Sequence, residues 1–317
     1  MPRPDISVII PCFNGERWIS FAIESALSQE GVNIEVIVVD DGSTDSTNEI
    51  LGSFSSRVTV IHKKNGGVGS ARNAGILKTS GRYIRFLDAD DVFPQNSMAR
   101  VYDFACQSPN SILVGKTNLM SHEGRIIQND AYNIPVTDIR SSKIDALYLL
   151  TQATHSTLWL IPRHILTPDV HFSEELSLGE EYDFSRKLIN LGHPFLSSTE
   201  IFCTIRQHDG KRLSRQGKDA DYLRQLNQIR QNADYILGCA NGQNHPAKAI
   251  LARRTWVLGR DCARAGYMIA ARNHFEFALS LGGREAIVGH WTYQMLARWI
   301  GPMLAERGVS IAKRTRL

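Results

Sequence analysis

The sequence predicts an α/β fold in which a Rossmann-like, mostly parallel central sheet is flanked by helices and followed by a C-terminal helical extension. Through the first ninety residues, short β-branched runs alternate with segments of helical spacing, the pattern of buried parallel strands joined by right-handed crossovers. Acidic or polar residues follow three of the first four predicted strands, where open α/β sheets bind their ligands. From Asp219 onward, Ala-rich and Leu-rich stretches of helical spacing predominate.

The individual elements are predicted from the places where the hydrophobic period changes. Continuous apolar runs predict strands at residues 6–10, 34–39, 58–62 and 83–87. Helical spacing predicts helices at residues 15–29, 43–54 and 67–78. After Pro94 the pattern is mixed, with strands expected at 112–114, 158–161 and 195–206 and a helix at 181–191.

The last hundred residues predict helices at 221–238, 246–265, 268–281 and 288–306, separated by glycine-containing breaks. We therefore expect two regions, a domain over residues 1–217 that carries the sheet and a helical region over residues 218–317. The helical region is expected to serve packing, oligomer formation or contact with a membrane surface.

Composition and charge exclude several classes of protein. The chain has 317 residues with 36 Lys and Arg against 32 Asp and Glu, a net charge of +4 that is too mild to indicate nucleic-acid binding. Its five cysteines include no CxxC pair, which favours free thiols in a reducing compartment. Because no apolar run approaches the ~18–20 residues of a spanning helix, we expect a cytoplasmic protein whose membrane contact is at most peripheral.

Four motifs appear in order within the first 91 residues: SVIIPCFN at 7–14, VVDDGSTD at 38–45, NGGVGSARNAG at 65–75 and FLDADD at 86–91. A single DxD is weak evidence because acidic triplets are common on surfaces, but four ordered motifs are specific. Together they resemble the family 2 glycosyltransferases, over roughly residues 5–215 of this chain. The resemblance implies a GT-A type fold, a nucleotide-sugar donor and an inverting transfer that uses Mn²⁺ or Mg²⁺.

The FLDADD motif supplies the candidate metal site. Carboxylates at a strand end can hold a divalent cation that bridges the diphosphate oxygens of the leaving group, a combination that suits Mg²⁺ and Mn²⁺. By resemblance, Asp90 is a metal ligand, Asp88 lies near the ribose or the metal, and Ala89 lies in the nucleotide-sugar site. Asp91 is expected to cap the next turn. His208, in an Arg-x-His stretch, is expected by resemblance to complete the metal or diphosphate site.

The first three motifs supply the candidate nucleotide contacts. By resemblance, Asp41 accepts a hydrogen bond from the nucleobase, which suits the N3–H of uracil or thymine and therefore favours UDP or dTDP sugars. The other expected contacts line the base or reach the nucleotide: Pro11, Phe13, Asn14, Arg72 and Asn73. Two simpler interpretations stay open, that Asp40 or Ser43 caps the following helix and that the glycines only permit close helix packing.

The stretch GEEYDF at 179–184 supplies the candidate catalytic base. By resemblance the base stands at the second acidic position, where the family usually has Asp and this chain has Glu181; Asp183 is the alternative. These acids are also the charges that favour a helix N-terminus. Farther on, Arg212 lies in a basic segment that could pair with phosphate, unless that segment is simply a solvated loop.

The leading hypothesis is an inverting glycosyltransferase, transferring a hexosyl or N-acetylhexosaminyl group to a hydroxyl of a glycan or lipid-linked acceptor. Family resemblance further suggests bacterial surface-polysaccharide synthesis. The alternatives are a nucleotidyltransferase on a similar sheet and a non-catalytic scaffold with a vestigial sugar-nucleotide site.

The C-terminal segment 290–304 combines aromatic and aliphatic residues with neighbouring cations, and the tail after it is basic. This composition is typical of an interfacial helix on anionic lipid. A core helix followed by a basic tail, or a homo-oligomer contact, would have the same pattern.

Overall fold

The computed structural model describes residues 3–131, 138–139, 155–176, 179–207, 219–238, 246–306 and 308. The chain divides into two compact units, Met1–Glu175 with Asp183–Gly210 and Leu176–Tyr182 with Lys211–Leu317. The predicted boundary between residues 217 and 218 lies a few residues after the point where the second unit resumes.

The first unit contains one mixed sheet. Its strands are β1 (Ile6–Cys12), β2 (Ile34–Asp40), β3 (Thr59–His62), β4 (Tyr83–Phe86), β5 (Ile112–Met120), β6 (Ile126–Gln128), β7 (Asp138–Ile139), β8 (Trp159–Pro162) and β9 (Phe195–Arg206). The helices described before and between these strands are α1 (Ile19–Leu27), α2 (Thr47–Phe54), α3 (Val68–Ile76), α4 (Ser97–Gln107) and α5 (Glu180–Asn190), which begins in the residues counted with the second unit.

The strand order is β3-β2-β1-β4-β8-β5-β9-β7, with β6 paired to β5. Strands β1 to β4 are parallel, as their continuous apolar runs predicted. The second half departs from the mostly parallel expectation because β8 is antiparallel to both β4 and β5, and the short β6 and β7 are also antiparallel to their neighbours. Strand β9 is again parallel to β5.

The centre of the sheet is covered closely by α3. Every residue of β1 is buried, and a Cβ added at Gly75 of α3 would lie 2.4 Å from Cγ2 of Ile9. The glycine-rich composition of α3 therefore has a packing function, since only a residue without a side chain lets this helix approach β1 so closely. The close approach also brings the polar residues of α3 to the carboxyl end of the sheet.

Helix α4 was missed in the sequence pattern. It follows Asn96, whose φ of 52° lies in the left-handed region that Asn tolerates. Its buried apolar positions are Met98, Val101 and Ala105. Other apolar and aromatic residues of the helix lie outside this buried stripe, so the sequence shows no clear helical period, which explains the mixed pattern after Pro94.

The described part of the second unit is helical. It contains α6 (Asp219–Gly238), α7 (Pro246–Arg264), α8 (Met268–Gly282) and α9 (Trp291–Ile300). The first three agree closely with the predicted helices, whereas the helix predicted at 288–306 is interrupted at Gly301, whose φ is 83°. Helices α7 and α8 pack through Trp256 and Phe275, whose ring centroids are 4.7 Å apart. Within the described residues, the chain forms no helix that combines the length and apolar character needed to cross a bilayer.

Candidate active site

The candidate site is built where three parallel strands end. In the sheet register Cys12 of β1 lies beside Asp40 of β2, and Ile9 of β1 lies beside Phe86 of β4. Because parallel strands end at the same edge, the loops that carry three of the four sequence motifs meet there. The backbone N–H of Asp41 donates to the carbonyl of Cys12 at 2.8 Å, which joins two of these loops directly.

The loop after β1 is held by Asn14. Its φ of 51° is left-handed, which Asn adopts more readily than most residues. Its Oδ1 accepts from the backbone N–H of Thr44 at 2.8 Å, and its own N–H donates to Oγ of Ser43 at 2.9 Å. Pro11 is buried and Phe13 is 46% exposed. The structure therefore gives Asn14 a loop-fixing contact and leaves the ring of Phe13 available as an aromatic wall.

The carboxylate of Asp41 is buried and holds the glycine-rich turn that precedes α3. Its Oδ1 accepts from Lys63 Nζ at 2.7 Å and from the N–H of Gly66 at 3.0 Å, and its Oδ2 accepts from the N–H of Gly67 at 2.7 Å. Asp40 accepts from the N–H of Ser43 at 3.0 Å within the loop. The capping interpretation is wrong, because α2 begins at Thr47 with Ser46 as its N-cap and has no side-chain cap. A contact from Asp41 to a nucleobase stays a prediction, and it would add to these hydrogen bonds.

Arg72 and Asn73 of α3, both predicted to reach the nucleotide, bind protein groups. Arg72 is 3% exposed, and its Nη2 donates to Oδ1 of Asp88 at 3.0 Å. Asn73 donates to the carbonyl of Phe172 at 2.9 Å and to Glu174 at 3.0 Å, and its Oδ1 accepts from the N–H of Phe172 at 2.9 Å. Arg72 thus orients a predicted site carboxylate, while Asn73 fixes the segment around Phe172. Direct contacts of both with nucleotide stay untested predictions.

The DADD segment separates into exposed and buried acids. Asp88, Ala89 and Asp90 are partly exposed, whereas Asp91 is 4% exposed. Oδ1 of Asp91 accepts from the backbone N–H of Arg206 at 2.9 Å. Asp91 therefore links the loop after β4 to the end of β9, and the expectation that it caps the next turn stays a prediction.

Arg206 is a site residue whose role the sequence did not show. Its Nε donates to the carbonyl of Asp90 at 3.2 Å and its Nη1 to the carbonyl of His122 at 3.1 Å. Its guanidinium carbon lies 4.4 Å from the ring centroid of Trp18 and 5.6 Å from that of Phe21. Burial lowers the pKa of Arg206, and the charge of neighbouring Asp91 opposes that shift. Arg206 therefore fixes the backbone that carries Asp90.

The acids at the start of α5 lie in different environments. Gly179, with a φ of 89°, precedes the helix, and Glu181 is partly exposed in its first turn. Asp183 is buried and forms ion pairs with Arg186 at 2.9 Å and Lys187 at 2.8 Å. Because Asp183 is buried and already paired with two cations of its own helix, the partly exposed Glu181 is better placed to meet an acceptor hydroxyl.

The described residues include no cluster of three or more His, Cys, Asp or Glu placed to hold a metal ion. The donor set at the end of β4 nonetheless suits Mg²⁺ or Mn²⁺, since these ions bind through one or two carboxylates together with substrate phosphates and water. Asp88 and Asp90 are partly exposed carboxylates of this kind. The predicted site residues His208 and Arg212 lie outside the described residues.

A mixed sheet with flanking helices and acidic loops at the carboxyl ends of its parallel strands is typical of the GT-A class, and solved structures agree. S. aureus TarS 1–349 in complex with UDP-GlcNAc has a TM-score of 0.62 at 20% identity, covering 98% of this chain and 92% of that one. Mannosyltransferase PcManGT from Pyrobaculum calidifontis, in complex with GDP-Man and Mn²⁺, has a TM-score of 0.54 at 19% identity, covering 98% and 86%. The expected fold class is therefore confirmed.

The sequence matches the family described as Glycosyl transferase family 2 over residues 7–166. A glycosyltransferase of Rickettsia prowazekii is 33% identical over 299 residues, which cover 91% of this chain and 88% of that protein. This chain belongs to glycosyl transferase family 2, and the class of enzyme expected from its motifs is confirmed.

Other relatives are longer than this chain. A glycosyltransferase of Rickettsia felis is 31% identical over 230 residues, and the match covers 69% of this chain but only 37% of that protein. The minor teichoic acid biosynthesis protein GgaA of Bacillus subtilis is 32% identical over 196 residues, covering 58% of this chain and 43% of that protein. The shared region in both cases is therefore a part of a larger protein.

Proposed function

We propose that the chain transfers a sugar from a nucleoside-diphosphate donor, with UDP or dTDP favoured, to a hydroxyl of a glycan or lipid-linked acceptor. The observation that carries the proposal is the pair of partly exposed carboxylates, Asp88 and Asp90, at the end of β4 in a family 2 enzyme. Synthesis of a bacterial surface polysaccharide is supported by the similarity to GgaA, which is named for teichoic acid biosynthesis.

Asp88 and Asp90, with His208 as the further ligand expected from the sequence, would hold Mn²⁺ or Mg²⁺. The ion would offset the negative charge that the diphosphate keeps when it leaves. Arg72 keeps Asp88 in place through their 3.0 Å ion pair, and Arg206 keeps the backbone at Asp90 in place. Arg212 would pair with the diphosphate from the basic segment. The preference for a pyrimidine with an N3–H rests on Asp41, whose carboxylate would accept that proton in addition to the N–H groups of Gly66 and Gly67.

The proposed reaction is a single displacement. Glu181 takes the proton of the acceptor hydroxyl, the acceptor oxygen forms a bond to the anomeric carbon, and the bond from that carbon to the diphosphate oxygen breaks on the opposite face. The configuration at the anomeric carbon is thereby inverted, and no covalent intermediate with the protein is required. Glu181 is partly exposed at the start of α5, which suits a group that must meet an incoming hydroxyl.

The test is a donor screen that measures release of nucleoside diphosphate from UDP, dTDP, GDP and CDP sugars, each with Mn²⁺, with Mg²⁺ and with chelator. We expect turnover of a UDP or dTDP sugar that chelator abolishes. Asp90→Ala should remove the metal-dependent activity while leaving the melting temperature near that of the wild type. Asp103→Asn, an exposed carboxylate on α4, is the matched control and should behave as wild type.

Three results would contradict parts of the proposal. Near-wild-type turnover by Asp90→Ala would remove the metal assignment. Tighter binding of CDP or GDP than of UDP and dTDP, measured by calorimetry, would remove the assigned role of Asp41. Release of pyrophosphate in place of nucleoside diphosphate would favour a nucleotidyltransferase, and the absence of any donor turnover would favour a scaffold.

A further inference from the structure

Helix α9 of the second unit presents an apolar face to solvent. Trp291 is 65% exposed and Trp299 is 83% exposed, with Met295 between them at 50%. At ~100° per residue these three side chains lie within an arc of about 80° on one side of the helix. Leu296 and Ile300 widen this arc and are also exposed. We refer to these five residues as the α9 face.

The opposite side of α9 is already packed. Tyr293 is 2% exposed and Ala297 is 5% exposed. The guanidinium carbon of Arg260 lies 3.8 Å from the ring centroid of Tyr293, and Arg260 is also ion-paired with Glu306. The helix is therefore held to its unit by its inner side, and the α9 face contributes little to folding. Exposing two tryptophans at this position is costly in water, which indicates that the face meets another surface.

The segment of sequence that contains and follows α9 is rich in positive charge. From residue 291 to the last residue, the sequence contains Arg298, Arg307, Lys313, Arg314 and Arg316 against the single acid Glu306. Glu306 is 3% exposed and is paired with both Arg260 and Arg264, so its negative charge is compensated inside the unit. Arg298 is exposed and follows Trp291 by seven residues, so it borders the α9 face.

Exposed apolar side chains beside an exposed arginine favour an anionic lipid surface as the partner of α9. Tryptophan and long aliphatic side chains partition into the boundary between headgroups and acyl chains, and nearby arginines pair with anionic phosphates. A second copy of the chain is a poorer partner, because a two-fold contact would pair two identical faces and α9 offers Arg298 no acid to pair with. Apolar area and positive charge on one face together match an anionic lipid surface.

We propose that α9 is an interfacial helix that binds the chain to an anionic lipid bilayer through Trp291, Met295 and Trp299, with Arg298 pairing with lipid phosphate. The proposal goes beyond sugar transfer and does not depend on it, because binding to vesicles requires neither donor nor metal. If the acceptor is lipid-linked, such binding would hold the enzyme at the surface where that acceptor lies.

The test is co-sedimentation of the full chain with phosphatidylglycerol-containing vesicles and with pure phosphatidylcholine vesicles, at low and high salt. We expect binding to the anionic vesicles that weakens at high salt, and at least tenfold weaker binding to the neutral ones. The double substitution Trp291→Ser with Trp299→Ser should weaken partitioning at least tenfold. Arg298→Glu should weaken binding to anionic vesicles alone.

Leu77→Ser is the matched control, because Leu77 is 84% exposed, like Trp299, but lies in the first unit. It should bind vesicles as the wild type does, and circular dichroism should show all variants folded. Equal binding by the tryptophan variant and the wild type, or no binding by the wild type at low salt, overturns the proposal. Light scattering that shows a wild-type dimer, lost in the tryptophan variant, together with no vesicle binding, would assign the face to self-association.

Discussion

The two ends of the parallel strands both carry carboxylates, but the acids at the two ends are used differently. At the amino end, Glu35 of β2 accepts from the N–H groups of Ser80 and Gly81 at 2.6 and 2.8 Å and from the hydroxyls of Ser7 and Ser80. Asp5 also holds a loop there, accepting from the N–H of Asn33 at 3.0 Å. At the carboxyl end, some acids are buried and others are partly exposed.

At the carboxyl end, the loop-holding acids are buried and the remaining acids are partly exposed. Asp41 and Asp91 are at most 4% exposed and bind backbone N–H groups, as Glu35 does. Asp88 and Asp90 are partly exposed in the same few residues of chain. The comparison teaches that acids of one motif differ in exposure: the buried ones hold backbone N–H groups, and the partly exposed ones can still be reached by a ligand. The nucleobase contact proposed for Asp41 would be added to its loop-holding hydrogen bonds.

The largest expected effect is a loss of turnover at α5, where Glu181 is partly exposed and Asp183 is buried. Glu181→Gln should leave donor affinity unchanged and lower turnover by ~10²–10⁴, the usual contribution of a positioned general base. Asp183→Asn should instead lower stability, because it weakens the ion pairs with Arg186 and Lys187. Steady-state kinetics would measure the change in turnover of both variants, and thermal unfolding would measure their stability. The base assignment is wrong if Asp183→Asn gives the kinetic loss and Glu181→Gln does not.

A second effect should follow from Arg206, which positions Asp90 without being a proposed ligand. Arg206→Lys keeps the charge but loses the forked contacts to the carbonyls of Asp90 and His122. We expect the metal concentration for half-maximal activity to rise about tenfold, since a hydrogen bond from a charged group contributes about 1.5–3 kcal/mol, with a smaller change in kcat.

Arg17→Ala is the control for Arg206, because Arg17 also stacks on Trp18, at 4.6 Å, but is exposed. Its effect on metal dependence should be less than twofold. If Arg206→Lys changes kcat alone and leaves the metal dependence intact, the positioning role is wrong.

The contacts of Arg206 also show where prediction from sequence reaches its limit. Its partners Trp18, Asp90 and His122 lie far from it and from one another along the chain, so no local spacing relates them. The four parallel strands and the helices of the second unit were predictable because each has a strong hydrophobic period of its own. The end of β9 at Arg206 was also predicted, but its neighbours were not.

The antiparallel entry of β8 could not be predicted for a similar reason. Strand direction depends on the connection that brings the chain back to the sheet, and the four residues of β8 are apolar and buried whichever way the strand runs. The roles of Arg72 and Asn73 were likewise open, because a polar residue on a glycine-rich helix can serve a ligand or the fold. The contacts of Arg72 with Asp88 and of Asn73 with Phe172 show that both side chains serve the fold.

A smaller effect is expected from the packing of α3 against β1, which places Arg72 at the carboxyl end of the sheet. Gly75→Ala would place a Cβ 2.4 Å from Ile9, so we expect a loss of about 1–3 kcal/mol of unfolding free energy. A Cβ added at Gly52 in α2 would meet no atom within 4 Å, so Gly52→Ala should be neutral or stabilise by about 0.5–1 kcal/mol. Urea unfolding measures both, and equal effects would contradict the packing role of Gly75.

The smallest expected effect belongs to Glu35 at the amino end, and it depends on pH. Burial raises the pKa of this carboxyl, but hydrogen bonds from Ser7, Ser80 and Gly81 outweigh burial and hold the pKa below its usual 4.5. A carboxyl whose pKa is lower in the folded state stabilises the fold above its unfolded pKa, and that contribution is lost as pH falls through the folded value. Glu35→Gln should therefore cost about 1–2 kcal/mol at pH 7 and progressively less below about pH 4.

Glu24→Gln is the control for Glu35, because Glu24 lies in an exposed ion pair with Arg57, and such pairs contribute at most about 1 kcal/mol. Urea unfolding at pH 7, 5 and 3.5 would measure the difference between wild type and each variant. The Glu35 variant should keep wild-type donor turnover at pH 7, because its carboxylate holds a loop at the end of the sheet opposite the site. A loss of turnover with no loss of stability would show that the amino-end acid is not the structural counterpart of Asp41 and Asp91.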